Sequence, residues 1–88
     1  MKIIFHKTFV KHFDKRIKIN SNLLEKFKVR YQLFIDERNN DILRDHSLSG
    51  VLKGKRSFSI TGDIRIIYQE SDGIIEFLDI GSHNQIYR

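Results

Sequence analysis

The sequence predicts a small α+β domain, in which a helical hairpin packs on one face of an antiparallel sheet. In the first half of the chain, apolar residues recur every three or four positions, which is the period of a helix. Between residues 58 and 80 they largely alternate instead, and two turn-forming triplets divide that region into strands. The resulting order is β-α-α-β-β-β, and its short last connections favour a meander with both helices on one side.

The N-terminal region predicts one strand and a first helix. Residues 2–6 form a short apolar run that is typical of a strand. Thr8 is the expected N-cap of a helix that ends near Lys18. Its apolar positions recur every four residues, at Phe9, Phe13 and Ile17.

A second helix is expected after the polar residues 20–22. Asn22 and Glu25 have the spacing of a capping box, and the helix should end near Arg38. Its apolar stripe consists of Leu23, Phe27, Tyr31, Phe34 and Ile35. The other side of the hairpin is basic and carries Lys11, Lys15, Lys18, Lys26 and Arg30. We expect the hairpin aromatics to pack onto Ile66, Tyr68 and Phe77 of the sheet.

The second half of the chain predicts three strands joined by tight turns. Thr61-Gly62-Asp63 and Ser71-Asp72-Gly73 are the turns, because their residues favour tight or left-handed backbone. The last strand should cover residues 74–80 and end at Gly81-Ser82-His83. Residues 84–88 are expected to form a short tail or a final strand.

The composition limits the class of protein. A length of 88 residues indicates a single domain, residues 1–88. Cysteine is absent, which excludes disulfides, a thiol nucleophile and thiolate metal ligands. We expect no metal and no cofactor. No apolar run approaches the roughly 18 residues of a membrane span, and no signal peptide is evident, so the cytoplasm is the expected compartment.

The charge is concentrated in the first half of the chain. Residues 1–38 have a net charge of +6 and residues 39–88 a net charge of −1. This asymmetry favours contact between the helical hairpin and a polyanion such as RNA or DNA. A lysine-rich helix face that is simply solvated explains the charge equally well.

Two of the four histidines are candidates for chemistry. His46 and His83 each lie in a loop near glycine, where a side chain is presented and not packed. Either one alone is more simply a loop histidine satisfied by hydrogen bonds. His6 and His12 have no further ligand at metal-binding spacing, and His12 is expected to be an ordinary surface residue.

A basic cluster follows the first candidate histidine, formed by Lys53, Lys55, Arg56 and Arg65. Arg65 should point away from the apolar face of its strand, near the lysines of the preceding strand. Arginine offers a planar fork for phosphate and lysine a mobile charge. With His46, His83 and Tyr87 these cations could support RNA cleavage by transesterification, which needs a base, an acid and phosphate-binding cations. Alternatively, Arg65 pairs with Asp63 or Glu76 on a solvated strand face.

The order of these short motifs resembles the RelE/ParE toxin superfamily, most closely its RelE/StbE and YafQ-like branch. The resemblance spans essentially the whole chain. The matching segments are His46-Ser47-Leu48-Ser49-Gly50, Leu52-Lys53-Gly54, Arg65-Ile66-Ile67-Tyr68 and Gly81-Ser82-His83, followed by Tyr87. The resemblance implies a cytoplasmic toxin with a neutralising antitoxin, which cleaves messenger RNA on the ribosome without a metal.

The resemblance also implies roles for individual residues. His46, Asp63, His83 and Tyr87 fall where YafQ-like members surround the scissile phosphate. Lys53, Lys55 and Arg65 fall where RelE-like members bind phosphate, and Lys11, Lys15 and Lys26 would dock on ribosomal RNA. The sequence departs from the pattern at Ser59, where YafQ-like toxins tend to have histidine, and at Ile64, where they tend to have tryptophan.

Two other functions are compatible with the same fold. One is a ParE-like inhibitor of DNA gyrase without nuclease activity, since fold alone does not fix function. The other is a nucleic-acid-binding module without chemistry. The pair His46 and His83 favours the nuclease, because a toxin that only binds protein needs no imidazoles.

Overall fold

A computed structural model describes residues 1–87 and contains three helices and five strands. The strands are β1 Lys2–Phe5, β2 His46–Ser47, β3 Arg56–Ser59, β4 Ile64–Ser71 and β5 Ile74–Ser82. The helices are α1 Lys7–Arg16, α2 Ser21–Asp36 and α3 His83–Ile86. Single turns of 3-10 helix, Asp41–Leu43 and Gly50–Leu52, flank β2. The predicted α+β class is confirmed, and the structure adds β2 and α3 to the predicted order β-α-α-β-β-β. No helix of residues 1–87 has the length and apolarity to cross a membrane.

The five strands form one sheet in the order β1-β5-β4-β3-β2. The predicted antiparallel meander of β3, β4 and β5 is confirmed. The prediction of a wholly antiparallel sheet is wrong at one edge, because β1 runs parallel to β5, from the pair Lys2–Ile74 to the pair Phe5–Phe77. Parallel pairing requires a long crossover, and α1, α2 and the following strands supply it.

Both helices begin at caps that differ from the predicted ones. His6, not Thr8, is the N-cap of α1, and its Nδ1 accepts a hydrogen bond from the Thr8 backbone N at 3.1 Å. Asn20, not Asn22, caps α2 by accepting from the Asn22 backbone N at 3.0 Å. Each true cap has extended backbone, which aims a side-chain acceptor at the free N–H groups of the first turn. Several polar residues lie near the N-terminus of each helix, so the sequence alone does not identify the N-cap.

The core is built around Phe77 of β5, which is fully buried. Ring centroids from both helices lie close to it, with Phe9 at 5.5 Å, Phe34 at 5.8 Å and Tyr31 at 6.0 Å, in edge-to-face geometry. Tyr68 of β4 lies at 6.4 Å. The expected packing of the hairpin aromatics against the sheet is therefore confirmed. Of the predicted stripe on α2, Ile35 is exposed.

A β-bulge in β5 changes which residues share a face. Ile67 pairs with Asp79, yet the next residue, Tyr68, pairs with Phe77, so Leu78 is an extra residue in β5. Consequently Phe77 and Ile80 both contribute to the core although they are three residues apart. The alternating pattern of the sequence does not reveal this shift.

A polar network closes the core beside β2. The Asp45 carboxylate accepts hydrogen bonds from the Tyr68 hydroxyl at 2.6 Å and from Arg56 Nε at 3.0 Å. Arg38 completes the network, with its guanidinium 2.6 Å from Glu70 and 3.6 Å from Asp45. Burial, with the Asp45 hydrogen bond, raises the pKa of Tyr68 to about 12. The network fixes the chain immediately before His46.

We expect the Tyr68 network to make the fold sensitive to alkaline pH. The folded pKa of about 12 exceeds the ordinary value of 10.0, so the network stabilises the fold below pH 10 and this contribution is lost as the pH rises towards 12. Two pKa units correspond to about 2–3 kcal/mol. Tyrosinate absorbance and urea unfolding should be compared between wild type and Tyr68→Phe. If the difference in tyrosinate absorbance between wild type and Tyr68→Phe titrates near the ordinary pKa of tyrosine, the prediction is wrong.

Candidate active site

The face of the sheet opposite α1 and α2, here called the far face, carries Arg65. Strand register places Ser59, Arg65 and Gly81 in one row across β3, β4 and β5. Arg65 Nε is buried and has no hydrogen-bond partner among residues 1–87. The alternative that Arg65 pairs with Asp63 or Glu76 is not observed within residues 1–87, and Glu76 instead accepts from Gln69 at 3.0 Å. An arginine donor without a protein partner is a candidate for binding an anion.

His83 and Tyr87 lie just beyond this row. The C-terminal residues form helix α3 where a tail or final strand was expected, and β5 continues through Gly81 and Ser82 before His83 begins the helix. Ser82 and Gln85 form a capping box that fixes the turn. The exposed His83 ring lies 4.6 Å from the ring of Tyr87, centroid to centroid. The turn thus presents an imidazole and an aromatic ring together.

Asp63 is brought to the same end of the sheet. It lies one residue before Ile64, which pairs with Ser82, while His83 lies one residue after Ser82. Thr61 Oγ1 accepts from the backbone N of Asp63 at 3.1 Å and so fixes the turn, and the Asp63 side chain is exposed. Within residues 1–87, no hydrogen bond joins Asp63, Arg65 and His83. Strand register thus places the three residues at neighbouring positions at one end of the sheet.

His46 lies on β2, across the sheet from these three residues. His46 pairs with Ser57, which in turn pairs with Ile67, so the three residues form one row across the sheet. Ser57 and Ile67 are buried, whereas His46 is exposed. Its Nδ1 is 2.7 Å from the carbonyl oxygen of Arg44. A carbonyl can only accept, so Nδ1 carries the proton and Nε2 keeps a free lone pair in the neutral ring. Three strand spacings, about 14 Å, separate β2 from β5, so His46 and His83 are not an adjacent pair.

The predicted phosphate-binding residues after His46 are not brought together. Arg56 pairs with Tyr68, which places it on the face covered by the helices, and its Nε donates to Asp45. Lys53 and Lys55 precede β3 and do not lie on it, which corrects the prediction. Lys55 is four residues from Ser59, or about 13 Å along the strand, so these lysines lie towards the other end of the sheet from Arg65.

The docking lysines and His12 differ in their surroundings. Lys11, Lys15 and Lys26 are exposed and form no ion pair within the described residues 1–87. His12 was expected to be an ordinary surface residue, but it is half-buried and its Nδ1 lies 2.6 Å from Asp79 Oδ1. Sequence reasoning missed this contact because Asp79 is far away in the chain and the β5 bulge sets its position.

Two further possibilities, a metal site and a ligand-binding cavity, do not involve Asp63, Arg65 and His83. Within residues 1–87, no three His, Asp or Glu side chains converge in a way that could hold a metal ion. A cavity of about 560 Å³ lies beside Arg38, Arg44 and Glu70, not beside His83. Two of its arginines, Arg38 and Arg56, already pair with carboxylates, so this cavity is a poorer anion site than the row at Arg65.

Several solved structures have the same fold as this chain. YafQ from E. coli superposes with a TM-score of 0.78 at 24% identity, covering 99% of this chain and 98% of that one. The E. coli DinJ–YafQ complex gives 0.75 at 25% identity over 99% and 98% of the two chains. A metal-bound toxin from Helicobacter pylori gives 0.77 at 25% identity over 99% of each chain. No curated protein sequence matches this chain significantly.

The fold is that of the small α+β toxins of the RelE and YafQ type. The sequence matches the YafQ family over residues 1–88. The chain therefore belongs to the YafQ family of bacterial toxins of type II toxin–antitoxin systems. The family resemblance drawn from the short motifs is confirmed.

Proposed function

We propose that this toxin is an endoribonuclease that cleaves messenger RNA on the ribosome by metal-independent transesterification. The observation that carries the proposal is the buried, unpartnered Nε of Arg65, beside the strand end that presents His83. A guanidinium nitrogen without a protein partner among the described residues suits a phosphate. An exposed imidazole suits proton transfer near neutral pH, because its ordinary pKa is close to 6.5.

The reaction requires a base, an acid and a cation. The base removes the proton of the 2′-OH, the 2′-oxygen attacks phosphorus, and the bond to the 5′-oxygen breaks as the acid protonates that oxygen. The products are a 2′,3′-cyclic phosphate and a free 5′-hydroxyl. His83 would serve as one proton-transfer group, with His46 or Asp63 as the other. Asp63 lies at the same end of the sheet as His83, whereas β2, which carries His46, lies about 14 Å away across three strand spacings, so Asp63 is the better placed of the two. If His46 is that group, its Nε2 is the atom that would take the proton, and Arg65 would stabilise the charge on the phosphate oxygens.

The two departures from the family pattern have physical consequences. Ser59 lies in the row of Arg65, and its hydroxyl is a poor proton donor or acceptor at neutral pH, so acid–base chemistry falls to the remaining groups. Ile64 packs against the core and cannot stack on a base as tryptophan would. Tyr87, about one-third exposed beside His83, is the remaining aromatic that could stack on an RNA base.

The proposed partners are a cognate antitoxin, the ribosome and messenger RNA, all in the cytoplasm. A related YafQ forms a complex with DinJ, which supports a proteinaceous antitoxin for this chain. The exposed Lys11, Lys15 and Lys26 on α1 and α2 support contact with ribosomal RNA, since phosphate contacts supply most of the non-specific affinity for nucleic acid.

Purified toxin tests the proposed function directly. It should cleave messenger RNA on programmed ribosomes in the presence of a chelator, and the 3′ ends should carry a 2′,3′-cyclic phosphate. A parallel assay of DNA supercoiling by gyrase should show no inhibition. Inhibition of gyrase without cleavage would instead establish the ParE-like function, and absence of both activities would leave a binding module.

Neutralising Lys11, Lys15 and Lys26 together with glutamine is expected to weaken ribosome binding and flatten its salt dependence. Each lost phosphate contact should lower the log–log salt slope by roughly one unit. Cleavage of already bound message should continue. Lys28→Gln is the matched control for Lys26→Gln, because Lys28 lies on the same helix but pairs with Glu25 at 3.5 Å. Equal binding of the triple variant and wild type at all salt concentrations would show that these lysines are merely solvated.

A further inference from the structure

Helix α1 continues alongside β5 beyond the end of β1. The last pair of β1 is Phe5–Phe77, and the following turns of α1 contact the next residues of β5. His12 lies 2.6 Å from Asp79, and Arg16 Nη1 donates to the Ile80 carbonyl oxygen at 2.9 Å. Arg16 is largely buried, with 16% of its side chain exposed. Its guanidinium therefore satisfies a carbonyl at the exposed edge of β5, which β1 does not cover.

Gly81 is the point where this contact reaches α3. A Cβ on Gly81 would lie 2.6 Å from Arg16 Nη1 and 2.8 Å from Gln85 Oε1. The Gly81 backbone is not left-handed, so the position excludes a side chain because of its neighbours and not because of its conformation. Arg16 and Gln85 thus meet over one glycine, directly opposite Arg65 in the strand register.

Gln85 transmits this contact to the turn that carries His83. Its Oε1 accepts from the Ser82 backbone N at 2.7 Å, and its own backbone N donates to Ser82 Oγ at 3.2 Å. These two bonds form the capping box of α3. A shift of the Gln85 side chain would therefore release the turn at Ser82 and change where His83 and Tyr87 point.

We propose that Arg16 is a positioning residue for His83, acting through Gly81 and Gln85, with His12 and Asp79 holding α1 against β5. This inference rests on the proposed function, because it assumes that His83 transfers a proton. Arg16 itself does not touch RNA. Its guanidinium sets the orientation of α3, and a displacement of about 1 Å in a reacting group can reduce a rate about 100-fold.

The test uses purified full-length toxin in single-turnover cleavage on programmed ribosomes. Arg16→Gln should lower the maximal rate by roughly 10- to 100-fold and leave the half-saturating ribosome concentration unchanged. Arg16→Lys, which can still donate to the Ile80 carbonyl, should recover much of the rate. Lys28→Gln removes the same charge at an exposed site and should match wild type. Gly81→Ala should resemble Arg16→Gln, and the double variant should lose little more than either, because both act on one junction.

The outcomes separate this inference from the proposed function. Absence of cleavage by wild type would overturn the nuclease itself. Cleavage by wild type together with an unchanged maximal rate for Arg16→Gln would overturn only the positioning role. If Arg16→Gln fails to fold, Arg16→Lys and Gly81→Ala decide the question. Additive losses in the double variant, or a loss confined to ribosome affinity, would also overturn it.

Discussion

Replacing His83 with alanine is expected to lower single-turnover cleavage on programmed ribosomes by about 10²–10⁴-fold, the usual contribution of one acid–base group. His83 is exposed just after β5, and its ring lies 4.6 Å from that of Tyr87. It lies near Arg65, whose Nε has no partner among residues 1–87. Binding of ribosome and antitoxin should barely change, because one exposed imidazole contributes little contact area. Toxicity in cells should fall in parallel with cleavage.

The comparison with His46→Ala distinguishes the two proton-transfer groups. If His46 is the base, loss of its free Nε2 in His46→Ala should lower the maximal single-turnover rate by a similar factor. Asp63→Asn provides the same comparison for the other candidate. Wild-type rates for His83→Ala would exclude it from the mechanism and leave Arg65 and Tyr87 as the groups to examine.

The sequence was sufficient to predict the class of fold because its patterns are local. The aromatic stripe from Phe27 to Phe34 and the turns at residues 61–63 and 71–73 each specify one element from neighbouring residues. The same patterns predicted that Phe34 and Tyr68 would meet in the core, which the structure confirms at 5.2 Å between ring centroids.

What the sequence did not predict depends on pairing between distant segments. The parallel pairing of β1, the bulge at Leu78 and the contact between His12 and Asp79 all follow from how β5 is placed between its neighbours. No local pattern encodes that register. For the same reason the sequence predicted Lys53 and Lys55 to lie near Arg65. In the structure these residues, although close in sequence, lie towards different ends of one sheet.

The site itself was predicted as a set of residue types and not as a geometry. His46 and His83 were identified from loop composition and family resemblance, but their separation across the sheet and the tautomer of His46 required coordinates. The sequence also could not predict that Arg65 Nε lacks a partner, because Asp63 and Glu76 were both possible partners for it. A residue that could have paired with these carboxylates and does not is the stronger candidate for binding a ligand.

Replacing Arg65 with methionine is expected to reduce cleavage by about 10²–10³-fold while leaving the fold as stable as wild type, or more stable. The loss follows from removing the charge that stabilises the phosphate. The unchanged or increased stability follows because the buried Nε has no hydrogen-bond partner, and a buried unsatisfied donor costs about 1–3 kcal/mol. Arg65→Lys keeps the charge without the planar fork, so its rate should lie between those of wild type and Arg65→Met. Urea unfolding and single-turnover cleavage on the same samples provide both measurements. A marked loss of stability in Arg65→Met would assign the guanidinium a structural role, and wild-type cleavage would remove it from the site.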